Sequence, residues 1–282
     1  MMFTPASKKE TKLRLAITGL SGGGKTYTAL ELATGFGGKI ALVDTEHRSA
    51  SKYADRFKFD VLDMDPPYHP QKYIDAIEAA QSMGYTTIIL DSLSHVWTGT
   101  GGIVSIVDDI ASHSKTGSDF FAWNEGTEWY KKLIEAILQS NIHVIGTIRM
   151  KQDYSLDKDE KGKTRVTRVG IKPIQRKDFE FEFDVVMDMD AQNRGTITKT
   201  RCNDLPMGTV IPKPGVVTAR TLMTWLHGTE WVQALSEKAV AFAAETWKIQ
   251  KDEAWGRLDR AIKAEELSGF LPKEEFKQYV EK

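Results

Sequence analysis

The first apolar run of the chain, Leu13-Arg14-Leu15-Ala16-Ile17-Thr18, is short and leads straight into glycine-rich sequence. Short runs bounded by turn residues suit strands buried on both faces of a parallel sheet. Helical periodicity follows from Lys25 to about Ala33 and stops at Gly35, Gly37 and Gly38, which favour the left-handed backbone that ends helices. The alternation then repeats. Ile40-Ala41-Leu42-Val43 reads as a strand closing on Asp44, and Phe59 to Leu62 as a third. Pro66, Pro67 and Pro70 break the chain before a helix from about Gln71 to Ser82, closed by Gly84. Thr86-Thr87-Ile88-Ile89-Leu90-Asp91 is a strand ending in a carboxylate. Ser92 to Asn124 reads as polar and irregular, Glu125 to Gln139 as a helix, and Ile142 to Ile148 as another strand.

This spacing predicts an α/β fold with a doubly wound, mostly parallel sheet. The pattern changes after Met150. Lys151 to Lys177 holds nine Lys or Arg against four Asp or Glu, with Asp-Glu-Lys-Gly near its middle, which suits a hairpin turn or a mobile loop. Phe179 to Asp190 and Gly195 to Thr200 read as further strands. From about Thr218 the chain turns helical, with Trp225, Trp231, Trp247 and Trp255 suited to a helical core; Thr224 to Trp231 also fits a turn with a small β element. The organisation is therefore a tail over 1–12, a core over 13–217 and a small, mainly helical appendage over 218–282.

Composition adds limits. At 282 residues the chain can bury a sizeable core. Its net charge of -1 gives no global signature for nucleic acid, so any such site is a local patch. The lone Cys202 allows neither a disulfide framework nor an all-cysteine zinc site. The start MMFTPASKKE lacks the apolar stretch of a signal peptide, and no run is long enough to span a bilayer. The expectation is a cytoplasmic protein with no membrane partner.

The chemistry starts at Gly19-Leu20-Ser21-Gly22-Gly23-Gly24-Lys25-Thr26, which fits G-x-x-x-x-G-K-[ST] in full. The pattern arises by chance in about one chain in a hundred of this length, given glycine near ~7%. Its place between a strand and a helix is what the mechanism requires. Backbone N–H groups wrap a phosphate and the helix points its positive end there. The predicted nucleotide-binding set is Gly19, Ser21, Gly22, Gly23, Gly24, Lys25, Thr26 and Tyr27, for ATP. Lys25 reaches the β- and γ-phosphates, and Thr26 with Asp91 holds Mg²⁺. A plainer use of Asp91 is a helix N-cap, which Ser92 would serve equally well. Glu46, two residues past Asp44, lies where strand ends line a ligand-binding edge, and a carboxylate there can orient the attacking water. The plainer reading of Glu46 is a solvated loop charge. His47, His95 and His143 lack metal-ligand spacing and read as structural or local polar groups.

With these residues in place, the chain resembles the RecA-type ATPases. Val43-Asp44-Thr45-Glu46-His47 is similar to their segment carrying the catalytic glutamate, and Ile88-Ile89-Leu90-Asp91-Ser92 to their metal-binding strand. Val144 to Lys151 resembles their sensor strand, and Thr196-Ile197-Thr198-Lys199-Thr200-Arg201 the strand whose basic residues reach a neighbouring subunit's nucleotide. The order matches over about Leu13 to Leu205, and is similar to the shortened RecA-like ATPases of bacteriophages linked to single-strand annealing and recombination. Two departures matter. Thr147 stands where the family usually has a glutamine and is too short to reach as far. The N-terminal polymerisation segment is absent or cut to about ten residues, which implies rings or short oligomers over filaments.

The resemblance implies a RecA-like core, catalytic roles for Glu46 and Lys25, and Lys199 and Arg201 acting in trans, with Arg149, Arg176 and Lys177 as competing cations. The plainer reading of Lys199 and Arg201 is an exposed strand face. It implies single-stranded DNA as partner, a homo-oligomer with nucleotide at subunit interfaces, and a single-stranded-DNA-binding protein. The DNA loops would be Ala111 to Asn124, with Phe120, Phe121 and Trp123 for stacking, and Lys151 to Lys177 for phosphates. Core packing of those aromatics and a solvated face or subunit contact for the basic loop are the alternatives. The expected activity is a DNA-dependent ATPase. A small-molecule kinase, without an arginine-rich lid or acceptor signature to support it, and an ATP-gated loader or switch are the competing functions. A zinc-stabilised thymidine kinase is excluded by the lone Cys202.

Overall fold

The computed structural model describes residue 8 and residues 11–113, 119–158 and 164–228, with the side chains of 119–120, 154–158 and 164–169 left aside. Asp159 to Gly162 and Trp231, Trp247 and Trp255 lie outside the described residues. The chain divides into two compact units, Met1–Ala219 and Arg220–Lys282.

The first unit is built on a nine-stranded sheet. Its strands are β1 Arg14–Gly19, β2 Ile40–Asp44, β3 Asp60–Asp63, β4 Thr87–Asp91, β5 His143–Lys158, β6 Thr164–Pro173, β7 Val185–Met189, β8 Arg194–Thr200 and β9 Val210–Pro212. The order is β3-β2-β4-β5-β1-β7-β8-β9, with β6 paired to β5 alone. From β3 to β7 every pairing is parallel, whereas β8, β9 and β6 run antiparallel to their neighbours. The centre is apolar on both faces, as parallel strands under helices must be: all of β1 and β4 is buried. β3, at the edge, is exposed throughout.

Helices cover both faces. On one, α2 (Pro70–Ser82) and α5 (Asp119–Gln139) share a core with the sheet in which Tyr73, Ile77, Leu133 and Ile137 meet Ile88, Leu90 and Val144. The alternate strand residues Leu15, Ile17, Ile89 and Ile145 are fully buried too, and strand geometry sends them to the opposite face. There α1 (Lys25–Phe36), contacting β1, β4 and β5, buries Ala29, Leu30, Leu32 and Ala33. No helix among the described residues is long and apolar enough to cross a membrane.

Several elements differ from the sequence reading. The described part of Ser92 to Asn124 is not irregular: it holds α3 (Leu93–Thr98), α4 (Ile103–His113) and the start of α5, and 114–118 lie outside the described residues. Ile103 and Val107, one helical turn apart, are buried and order α4. The Ser, Thr and Gly residues around them obscured that period. Of the two forms expected for Lys151 to Lys177, the described residues have the hairpin: 151–158 and 164–173 form its arms, with β5 and β6 registered from Met150↔Pro173 to Lys158↔Thr164. Phe179–Glu182 is a 3-10 turn, so the strand expected from Phe179 begins only at Val185. Residues 224–227 belong to helix α6 (Val216–His227), not to a β element.

Arg14 locks β1 to the turn before β5. Its buried guanidinium donates to the carbonyls of Leu13 (3.2 Å), Ile142 (2.9 Å), Leu138 (3.1 Å) and Ser140. Its backbone N–H donates to Asp184 Oδ2 at 2.9 Å. His143 acts beside it, its Nδ1 accepting the Leu13 N–H at 3.0 Å. Burial lowers the Arg14 pKa to about 10, against the pull of Asp184, so the group remains a cation near neutrality.

Replacing Arg14 with Met would remove a charged donor from four carbonyls. The expected loss is about 2–4 kcal/mol, since charged hydrogen bonds contribute ~1.5–3 kcal/mol and orphaned buried acceptors add to the cost. Urea unfolding checks it. Arg48→Ala, which breaks the exposed 2.8 Å pair with Asp63, should cost under ~1 kcal/mol.

Candidate nucleotide site

The sheet brings the candidate residues to one edge because β1, β2 and β4 are parallel and end together, while β5 runs on past them. β5 lies between β1 and β4, with Ile17↔Thr147, Gly19↔Arg149 and Leu90↔Gly146 in register. Its stretch from Thr147 to Arg149 therefore passes between the glycine-rich loop and Asp91.

The loop leaves β1 at Gly19 and enters α1 at Gly24, both at positive φ (149° and 81°). Two neighbours crowd a side chain there as well. A Cβ on Gly19 would stand 2.6 Å from the Met189 carbonyl, and one on Gly24 2.6 Å from Asn193 Oδ1. The β7–β8 turn thus presses against the loop. Gly23 N–H closes onto the Leu20 carbonyl at 3.2 Å. Lys25 folds back over the loop, its Nζ donating to the same carbonyl at 2.9 Å. Burial lowers the Lys25 pKa, opposed by the fields of Asp91 and then Glu46.

Asp91 is almost fully buried at the end of β4. Thr26 Oγ1 donates to its Oδ2 at 2.6 Å, and Thr147 Oγ1 to its Oδ1 at 2.5 Å. Burial raises the carboxyl pKa and these two hydroxyls work against that rise. Asp91 is not an N-cap in the structure; Ser92 holds the position before α3, without a side-chain capping bond. Thr147 has a definite role here. It is too short to probe a distant phosphate, and it aims the Asp91 carboxylate.

Glu46 sits in a built turn. Asp44, buried at the end of β2, accepts from Glu46 N–H at 2.6 Å and Ala50 N–H at 2.8 Å. His47 and Arg48 then both take left-handed φ (55° and 62°), sparsely populated for such residues. The two Asp44 hydrogen bonds hold that backbone, and the Glu46 carboxylate Oε1 lies 3.7 Å from Arg149 Nε. Tyr27, on the first turn of α1, packs edge-on against Tyr53 (5.6 Å) and Phe57 (5.2 Å), half-buried rings that offer an apolar wall beside the loop.

Sequence reasoning missed three contributors. Asp188, a single carboxylate inside the apolar run Val185–Met189, accepts from Thr18 Oγ1 at 3.0 Å and its field reaches Lys25. Burial raises its pKa. Thr45 and His95 bond each other at 2.7 Å next to Glu46; His95 was read only as a local polar group. A lone charge in a buried strand could have flagged Asp188. No local pattern could have flagged the other two.

Lys199 and Arg201 are elsewhere. Lys199 lies opposite Val186, and Arg201 N–H bonds the Asp184 carbonyl, at the end of β7 away from the loop. Lys199 Nζ donates to the carbonyls of Phe181 (2.7 Å) and Phe183, and Arg201 pairs with Asp184 at 3.2 Å. β8 ends at Thr200, so strand alternation does not govern Arg201. Neither residue reaches the glycine-rich loop of its own chain.

A family model described as an AAA domain matches residues 11–224. This chain belongs to that AAA domain family. No curated protein matches it. The AAA domain makes the chain a nucleotide-binding ATPase of the α/β P-loop class, a class that typically uses ATP and Mg²⁺. The donors fit that ion. Thr26 and Asp91 are adjacent hard oxygens, and no group of three or more His, Cys, Asp or Glu suited to a metal occurs among the described residues. Two protein oxygens completed by phosphate and water are what Mg²⁺ takes, unlike the dedicated cages of other ions.

If Thr147 orients Asp91 in this AAA domain, Thr147→Val should raise the Mg²⁺ concentration for half-maximal ATP turnover by about 10-fold or more, the range for groups that orient metal ligands. Thr147→Ser should stay near wild type. A magnesium titration of turnover decides it, and equal requirements in all three proteins would refute the role.

Proposed function

We propose that this AAA domain hydrolyses ATP by in-line attack of water on the γ-phosphate and couples that step to single-stranded DNA. In this reading the Gly19 to Thr26 loop cradles the phosphates and Lys25 neutralises charge on them. Thr26 and Asp91 hold Mg²⁺, which draws charge off the phosphate oxygens when bound. Glu46 accepts the proton of the attacking water. The observation that carries the reading is the meeting of three separate chain segments at one strand edge, where Lys25 feels both Asp91 and Glu46. A carboxylate on the turn that Asp44 holds, next to a glycine-rich loop, suits water activation.

The trans role of Lys199 and Arg201 belongs to the same proposal. Their position away from their own loop fits cations that serve a neighbouring copy, in a homo-oligomer with nucleotide between subunits. The DNA part rests on the base of the β5–β6 hairpin. There Lys151, Lys172, Arg176 and Lys177, with Trp97, line a cavity of about 460 Å³ that also includes Asp178 and Glu180. Phe121 and Trp123 are 69% and 43% exposed on α5, and Trp123 lies with its ring centroid 6.1 Å from that of Trp97, an aromatic surface that suits stacking; the side chain of Phe120 lies outside the described residues. Two of these cations are engaged already, Lys172 with Asp153 at 2.6 Å and Arg176 over the Tyr130 ring at 4.5 Å. A phage-type recombination or replication role, the cytoplasm as its place of work and a single-stranded-DNA-binding protein as a further partner follow from the same proposal.

An ATPase assay with and without single-stranded DNA tests it. Lys25→Ala should abolish turnover. Glu46→Gln should bind ATP yet turn it over at least ~10²-fold more slowly, as expected on losing a general base. Near-normal Glu46→Gln turnover would remove Glu46 from the mechanism. Turnover that ignores DNA would remove the DNA coupling and favour a loader or switch, and phosphorylation of a nucleoside would favour a kinase.

A further inference from the structure

Arg149 ends the stretch of β5 beside the glycine-rich loop, opposite Gly19. Its backbone is anchored, the N–H donating to Ser94 Oγ at 2.8 Å. Its guanidinium is less obviously fixed. The contact to Glu46 is 3.7 Å long, and the two side chains are 41% and 31% exposed. A pair of that kind contributes ~0–1 kcal/mol, too little to hold a long flexible side chain in one place.

The second contact supplies the hold. His95 Nε2 lies 3.3 Å from Arg149 Nη1, and His95 Nδ1 lies 2.7 Å from Thr45 Oγ1. A guanidinium only donates, so Nε2 must accept and carry no proton. A neutral imidazole then has its proton on Nδ1 and donates to Thr45. The Thr45 hydroxyl balances: it accepts from Ser92 N–H at 2.8 Å and from His95, and spends its own proton on the Asp91 carbonyl at 3.1 Å. Every donor and acceptor in the chain is matched in this tautomer alone. The ring is clamped as well, stacked on Tyr68 at 4.9 Å and 18°. Tyr68 is itself tied to the Thr45 carbonyl at 3.4 Å.

We infer that His95 is a positioning residue for nucleotide hydrolysis: as the neutral Nδ1–H tautomer it holds the Arg149 guanidinium at the γ-phosphate side of the site, beside Glu46. This rests on the hydrolysis reading above. Arg149 then serves as a cation supplied by the same chain, free to leave its weak contact with Glu46 and meet charge developing on the phosphate. The relay also connects that cation, through Thr45, to the backbone of Asp91 and Ser92, so metal strand, sensor strand and catalytic turn move as one piece. The charges facing the ring agree. Burial, then Arg149, lowers the His95 pKa, with Asp91 acting against them and His47 with them.

Two measurements test it on the full chain. Nitrogen-15 NMR of the histidine rings, near neutral pH, should find His95 with a protonated Nδ1 and a bare Nε2. An Nε2–H tautomer or an imidazolium would overturn the proposal whether or not the protein hydrolyses ATP. In the ATPase assay, His95→Gln keeps an acceptor near the Nε2 position and should keep kcat within about 3-fold of wild type. His95→Asn keeps only a donor toward Thr45, and His95→Phe keeps only the stack on Tyr68. Both should lower kcat about 10-fold or more, the size expected for a lost electrostatic contact in the transition state, with KM for ATP nearly unchanged. Adding His95→Asn to Arg149→Ala should cost nothing further. Wild-type kcat in the Asn variant, a Gln variant as poor as Phe, or additive losses with Arg149→Ala would each overturn the role of His95. An inactive wild type with the Nδ1–H tautomer in place would instead refute the hydrolysis reading.

Discussion

The buried carboxylate of Asp91 is the group on which the rest of the site depends. A carboxylate this deep is costly unless it is hydrogen-bonded, and its two side-chain donors come from different places. Thr26 belongs to the loop-and-helix unit after β1, and Thr147 to β5. Satisfying one group therefore fixes the glycine-rich loop, β4 and β5 against each other. A cation at Thr26 and Asp91 would offset the same buried charge. The stability of this corner and an affinity for metal there would then express one electrostatic need.

A second constraint is backbone geometry around the loop. The Met189 carbonyl approaches so closely that only glycine fits at position 19, and the left-handed φ of 81° beside the Asn193 side chain favours glycine at position 24. Asp190 shapes that turn, accepting from the N–H groups of Gln192 and Arg194 at 2.9 Å each. The loop is thereby braced from the β7 side as well as from β5. Asp188, on the same strand, adds its field to Lys25. The lysine rests in a pocket of opposing charges and is pre-organised for an anion rather than recruited by it.

Much of this was legible in the chain. Apolar runs closed by Asp44 and Asp91 are local signals, and so is the glycine spacing from Gly19 to Lys25. The parallel core, its helices and the clustering of Lys25, Thr26, Glu46 and Asp91 follow from them. What stayed hidden depends on which strand neighbours which. That β5 lies between β1 and β4 cannot be read from local sequence, since its partners are 130 positions away in β1 and 56 in β4, and without it Thr147 looks only like a short substitute for a longer sensor. The same holds for His95. Its meaning arises from Thr45, just past β2, and Arg149 on β5, both distant from α3 in sequence. Lys199 and Arg201 illustrate the converse: a local strand pattern suggested an exposed face, whereas their partners at Phe181, Phe183 and Asp184 and the end of β8 at Thr200 decide where they sit. Helix α4 was missed because its buried period is only Ile103 and Val107, set among small polar residues.

The central claim is that Asp91, aimed by Thr26 and Thr147, joins a metal ion to the nucleotide. Calorimetric titration of a non-hydrolysable ATP analogue, with magnesium and with a chelator, tests it most directly when wild type is compared with Asp91→Asn. Wild type should bind the analogue about 10-fold or more tightly with magnesium than without, and Asp91→Asn should keep the chelator-state affinity while losing most of that gain. An unchanged magnesium gain in Asp91→Asn would contradict the account.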